Sequence, residues 1–134
     1  MPDRHRRINR RKFDLKARLV FVTKHGKRLL FGTVDETLKD SITRMAEERG
    51  WDIAAMETSA DHIHLLPSYD TTEGACDIAK ALKQQTTADP WARHGSWLAK
   101  KYWRRRIFWS DGHFACSIGE VSEATIRLYI ENQG

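Results

Sequence analysis

The segment SADHIHLLPS, residues 59–68, decides how the rest of the chain is arranged. It places His62 and His64 on either side of Ile63 in a short apolar run. Side chains on a β-strand alternate between faces. Read as a strand, the run puts both imidazoles on one face and Ile63 and Leu65 on the other. Two neutral imidazoles side by side suit a divalent metal. They suit a strand edge or a polar core as well, and the pair alone leaves these readings open. Ser59-Ala60-Asp61 is tight enough to make a hairpin between this strand, over 62–66, and a preceding one over 51–58. Pro67 is expected to end the strand or lie at its edge.

Upstream, Leu15, Ala17, Leu19, Phe21 and Thr23 alternate with Lys16, Arg18, Val20 and Val22, which predicts a first strand over 15–23. HGKR (25–28) reads as a turn. Thr33-Val34-Asp35-Glu36 has the form of a capping box, with Thr33 as N-cap. The helix it opens carries Val34, Leu38, Ile42, Met45 and Ala46 on one face and ends before Gly50. Downstream, Thr72 is expected to cap a second helix with Ala75, Ile78, Ala79 and Leu82 inward, stopping before Pro90. Residues 91–106 carry no decisive pattern. Ile107–Trp109 and Phe114–Ser117 read as a strand pair around Asp111-Gly112. Ser122 caps a last helix running to about Gln133. The order strand, helix, strand, strand, helix, strand, helix predicts an α+β, ferredoxin-like split βαβ domain over 13–134: an antiparallel sheet with helices on one face, plus a C-terminal helix.

The chain's 134 residues, 40% hydrophobic and 31% charged, fit one globular domain with its own core. No run is long and apolar enough to span a membrane, and the N-terminus lacks the apolar core of a signal peptide, so a cytoplasmic protein is expected. Cys76 and Cys116 match no zinc or redox pattern and read as two buried thiols. The net charge is +5, and residues 1–12 alone hold six basic residues and one acidic one. The whole excess therefore sits in an N-terminal arm that includes Arg10 and Arg11, which suits a polyanion or a solvated leader.

On the predicted last helix, Tyr129 in LYIENQG shares a face with Thr125, Ile126, Asn132 and Gln133. Taken alone, such a tyrosine is an amphipathic packing residue. Set in order, however, DLKARLVFVTKHGKRLLFG, ADHIHLL and FWSDGHFACSIGEVSEATIRLYIENQ resemble the single-tyrosine HUH transposases of the insertion-sequence 200/605 group, the IS200-like transposases. HUH denotes His, hydrophobic residue, His, here His62-Ile63-His64, and the similarity runs from about Phe13 to Gln133. The resemblance implies that His62, His64 and Gln133 bind a divalent metal, Mg2+ or Mn2+. It implies that Tyr129 attacks a phosphodiester of single-stranded DNA, leaving a 5′-phosphotyrosine and a free 3′-hydroxyl. It implies DNA with subterminal hairpins as substrate, and a homodimer in which each site takes its histidines from one subunit and its tyrosine helix from the other.

A second basic element is KKYWRRRIFW, 100–109, where Lys100, Lys101, Arg104, Arg105 and Arg106 are interleaved with Tyr102, Trp103, Phe108 and Trp109. Cations contact phosphates and aromatic rings stack on unpaired bases. The other reading makes Trp103, Phe108 and Trp109 core and the arginines solvated. Lys83 sits where the resembled family often has a basic residue near DNA. Two further functions stay open: a domesticated relative acting on genomic repeat hairpins, and a non-catalytic nucleic-acid-binding module.

Overall fold

The computed structural model describes residues 15–69, 74–112, 114–117 and 130–131. Its elements are β1 (Leu15–Val22), α1 (Gly32–Arg49), β2 (Asp52–Ser59), β3 (His62–Tyr69), α2 (Ala75–Lys101) and β4 (Phe114–Ser117), with a 3-10 turn at Lys24–Gly26. The strands form one sheet in the order β2-β3-β1-β4, every neighbouring pair antiparallel. That is the split βαβ order expected from the sequence. Ile130 and Glu131 are helical; the remainder of the expected C-terminal helix, with its Ser122 cap, lies outside the described residues.

One face of the sheet is dry. Ala17, Leu19 and Phe21 of β1 and Ile63 and Leu65 of β3 form a single buried cluster with Val34, Leu38, Ile42, Met45 and Ala46 of α1 and Ile78, Ala79 and Leu82 of α2. Leu19 lies opposite Leu65 and Phe21 opposite Ile63. This register brings the inward residues together, because a slip by one would turn each strand's apolar set to the wrong side. Val20 and Val22, which the alternation assigns to the other face, are also fully buried.

Six local expectations are corrected. Thr33 does not cap α1: the helix starts at Gly32, whose φ is +58°, and Phe31 is the N-cap with no side-chain hydrogen bond. A left-handed glycine turns the chain into the helix where a hydroxyl was expected to do so. The second helix has Gly74 at its N-cap, not Thr72, and it runs through Pro90 to Lys101. An interior proline costs a helix about 3 kcal/mol, but α2 buries Pro90, Trp91 and Leu98, and Trp91 Nε1 donates to Ile107 O at 2.9 Å. The helix loses regularity instead at His94 (φ −126°), whose ring meets Thr37 Oγ1 of α1 at 2.8 Å. Pro67 neither ends β3 nor sits on an edge strand: it lies within an interior strand, opposite Ile53. The β2–β3 register shifts there between Ile53 and Met56, and such a bulge accommodates a residue without an N–H.

Ile107–Trp109 does not pair with Phe114–Ser117. The segment is held to the end of β1 through a single Thr23–Trp109 bridge, Lys24 N–H to Phe108 O (2.8 Å) and Ser110 N–H to Val22 O (2.7 Å), while β4 pairs with β1. Cys76 is an exposed free thiol, not a buried one. The end of α1 is as expected: Gly50 adopts φ +79° and its N–H bonds Ala46 O.

If the inward face carries the stability, Leu65→Ala costs about 3 kcal/mol in urea unfolding. Leu66→Ala, half-buried on the other face, costs less than about half of that.

Candidate nucleic-acid and metal site

The hairpin turn at Ala60-Asp61 brings β3 into place, and the loop after β1 fastens it. Ala60 O accepts the N–H groups of Leu29 and Leu30, each at 2.9 Å, and Asp61 O accepts Thr23 N–H at 2.9 Å. Thr23 Oγ1 lies 2.6 Å from Lys27 O and 3.2 Å from Asp61 O, a buried hydroxyl shared between the two carbonyls. The peptide leading into His62 is therefore tied at several points to a neighbouring segment.

His62 and His64 project from β3 on the face away from the helices, as the alternation predicts. In register His62 stands between Val22 and Ser59, and His64 between Val20 and Glu57. The fully buried Val20 and Val22 lie beside the two imidazoles on that face. His62 Nδ1 is 2.9 Å from Asp61 Oδ1. The carboxylate only accepts, so Nδ1 carries the proton and donates it. In the neutral ring this leaves the lone pair on Nε2. The His62 side chain is 22% exposed, so a small ligand can reach it. His64 is half-buried, with its Nε2 shielded from solvent. Among the described residues no group of three or more His, Cys, Asp or Glu side chains forms a metal cluster.

Of the other residues singled out by sequence, Tyr129, Gln133, Arg10 and Arg11 lie outside the described residues. Lys100, Arg104, Arg105 and Arg106 are exposed, and Lys101 places its ammonium 5.1 Å from the Trp97 ring centre. Of the aromatic residues interleaved with them, Tyr102, Phe108 and Trp109 are buried, whereas Trp103 is 76% exposed. Tyr102 O–H lies 2.9 Å from Lys24 O and 3.3 Å from Phe108 O, and burial pushes its phenol well above the ordinary tyrosine range.

Lys83 stands apart from the exposed cations. Its ammonium donates to Ser110 O (2.8 Å), Asp111 O (3.0 Å) and Gly112 O (2.9 Å), which occupies all three N–H bonds. Desolvation lowers its pKa and the nearby Lys24 adds to that, with Asp111 opposing. Lys83 thus holds the 110–112 loop onto α2. Two features escaped the sequence reading. Asp61 was visible only as the residue before the motif, with nothing to show that it would reach the ring. Nothing in the pattern told Trp103 from its buried neighbours.

The chain matches the family model for IS200-like transposases over residues 11–133. It belongs to that family. It is 29% identical to the ISDra2 transposase TnpA of Deinococcus radiodurans over 121 residues, 90% of this chain and 85% of that protein. It is 25% identical to the transposase for insertion sequence element IS200 of Salmonella typhimurium, over 91% of this chain and 78% of that one. Its fold overlays a crystal structure of a Deinococcus radiodurans transposase with a TM-score of 0.81 at 27% identity, covering 90% of this chain and 92% of the other. It shares its fold more distantly with a REP-associated tyrosine transposase bound to a REP hairpin, TM-score 0.58 at 12% identity, covering 90% and 65% of the two chains. A transposase function follows from membership. Among the described residues no helix is long and apolar enough to cross a membrane.

Replacing Lys83 with methionine keeps its apolar stem and leaves three carbonyls without their donor. The loop carbonyls are partly solvated, so the loss is expected at about 1–2 kcal/mol in chemical denaturation. An unchanged midpoint would contradict the clamp.

Proposed function

We propose that this transposase cleaves and rejoins single-stranded DNA through a covalent bond to Tyr129, with a divalent cation held by His62 and His64 and completed by Gln133. The observation that supports the cation site is the geometry of the pair. Two imidazoles share one face of a pinned strand, and the Asp61 carboxylate fixes the His62 tautomer so that Nε2 is the donor atom. A carboxylate behind a histidine is the usual second partner of a metal-bound imidazole. The residues present therefore fit a divalent ion, Mn2+ more naturally than Mg2+ given nitrogen donors. When bound, such an ion neutralises charge on the non-bridging oxygens of a phosphodiester.

Tyr129 is the nucleophile in this reading. Its phenol gives up its proton as the oxygen attacks phosphorus in line, the bond from phosphorus to the 3′ oxygen breaks, and that oxygen leaves as a free 3′-hydroxyl after taking up one proton. The phosphate stays on the 5′ end of the downstream strand as a tyrosine ester. One phosphoester replaces another, so the reverse attack by a 3′-hydroxyl rejoins strands with no nucleotide cofactor. Most of the remaining work is positioning and electrostatics. The exposed Lys100, Arg104, Arg105 and Arg106, with Lys101 and the arm residues Arg10 and Arg11, suit the phosphates of a DNA hairpin at the element's ends. A protein of the same fold is bound to a hairpin, which is consistent with that choice. Lys83, with its protons committed to the 110–112 loop, would act on DNA through that loop. The working form is a homodimer in which Tyr129 of one subunit serves the histidines of the other.

Incubation with single-stranded element ends and Mn2+ should yield a DNA-linked protein band on a denaturing gel. Tyr129→Phe should abolish it, and equal cleavage by that variant would reject the assignment. Asp61→Ala should weaken Mn2+ binding by about 10–100-fold, measured by calorimetry, with the unfolding midpoint little changed. Unaltered affinity would remove Asp61 from the site.

A further inference from the structure

We infer that Trp103 is a stacking platform for an unpaired base of the DNA, flanked by the phosphate-binding cations of the same turn. This rests on the single-stranded DNA reading and adds to it a residue that grips the base.

The first observation is exposure. Trp103 is 76% exposed, whereas Trp51, Trp91 and Trp109 lie in the core. The second is backbone conformation. Trp103 has φ +50° and Arg104 φ +67°. Tyr102 N–H bonds Leu98 O and Arg104 N–H bonds Ala99 O, each at 3.0 Å. These bonds make the end of α2 a Schellman-type turn with Trp103 at the left-handed position, where glycine is the favoured residue. A bulky residue there is a true outlier, and strain of this kind collects at functional positions. At 76% exposure the tryptophan recovers little of such a cost by packing, so its benefit to the protein lies outside its own core.

The third observation is the surroundings. Trp103 borders an open groove of about 760 Å³ with Gly95, Ser96, Ala99, Lys100 and Arg104. That volume lies within the ~300–1,000 Å³ of ordinary ligand sites. The floor is small and uncharged, and every charge on the lining is positive. No acidic residue occurs between Asp89 and Asp111. No ion pair engages Lys100, Arg104, Arg105 or Arg106 among the described residues. Lys27 adds a further cation, its Nζ 5.5 Å from the Trp103 ring centre. A flat π-surface in a basic rim with no anionic counterpart matches a nucleic-acid strand with an unstacked base, since paired duplex offers phosphates but no free base face.

The strain makes the test specific. Trp103→Gly removes the ring and supplies the residue the turn prefers, so its thermal midpoint should hold or rise. Binding is read by fluorescence anisotropy with two labelled oligonucleotides: a hairpin carrying unpaired bases beside its stem, and a blunt duplex of the same stem. Trp103→Gly should weaken hairpin binding by about tenfold or more and barely change duplex binding. Trp103→Phe should retain most of the hairpin affinity, and hairpin addition should quench wild-type tryptophan emission but not that of Trp103→Phe. Equal hairpin affinity in wild type and Trp103→Gly overturns the platform and leaves the DNA-cleaving reading intact, provided wild type still forms the Tyr129 adduct. An equal loss on both oligonucleotides also overturns it, as does a wild-type dimer that dissociates in Trp103→Gly with hairpin affinity unchanged. Failure of the wild-type protein to bind either oligonucleotide overturns both readings.

Discussion

Alternation along β3 is the constraint on which the rest depends. Ile63 and Leu65 must enter the helix-covered core, and both are fully buried there. With a repeat of two residues, that requirement turns His62 and His64 to the opposite face with no further instruction. Because β3 is flanked by β2 on one side and β1 on the other, its register is fixed from both directions. The histidines inherit the rigidity of an interior strand, which suits a ligand site better than a loop does.

The same economy appears at the hairpin. The backbone carbonyls of Ala60 and Asp61 are bound by Leu29, Leu30 and Thr23, and the Asp61 side chain is left to hold the His62 ring. Thr23 also marks where the chain after β1 meets Trp109. One short stretch of backbone thus joins the histidine hairpin to the segment that follows the basic turn at 100–106. The two regions proposed to engage DNA rest on a common support, with Lys83 bracing the 110–112 loop beside it.

The order of elements along the chain, the inward face of the sheet and the shared face of the histidines were legible because they follow from periodicity, which survives tertiary packing. What was not legible depended on exceptions. Gly32 replaced a capping hydroxyl with a left-handed turn. Pro90 remained inside α2 because the burial of Trp91 and Leu98 outweighs its local penalty. Pro67 is admitted to an interior strand by a bulge across from it. Sequence patterning could not tell the exposed Trp103 from the buried Tyr102, Phe108 and Trp109, since the difference arises from one backbone reversal at the end of α2. The roles proposed for Tyr129 and Gln133 rest on family resemblance, since their sequence spacing alone specifies only a helix face.

The most direct measurement is paramagnetic broadening of imidazole signals by substoichiometric Mn2+ in the NMR spectrum of the full chain. The account predicts that the His62 and His64 ring protons broaden first and together, while those of His94, which contacts Thr37 on the helix side of the sheet, stay sharp. Broadening of one of the pair without the other, or of all histidines alike, would contradict a cation site shared by the two histidines of β3.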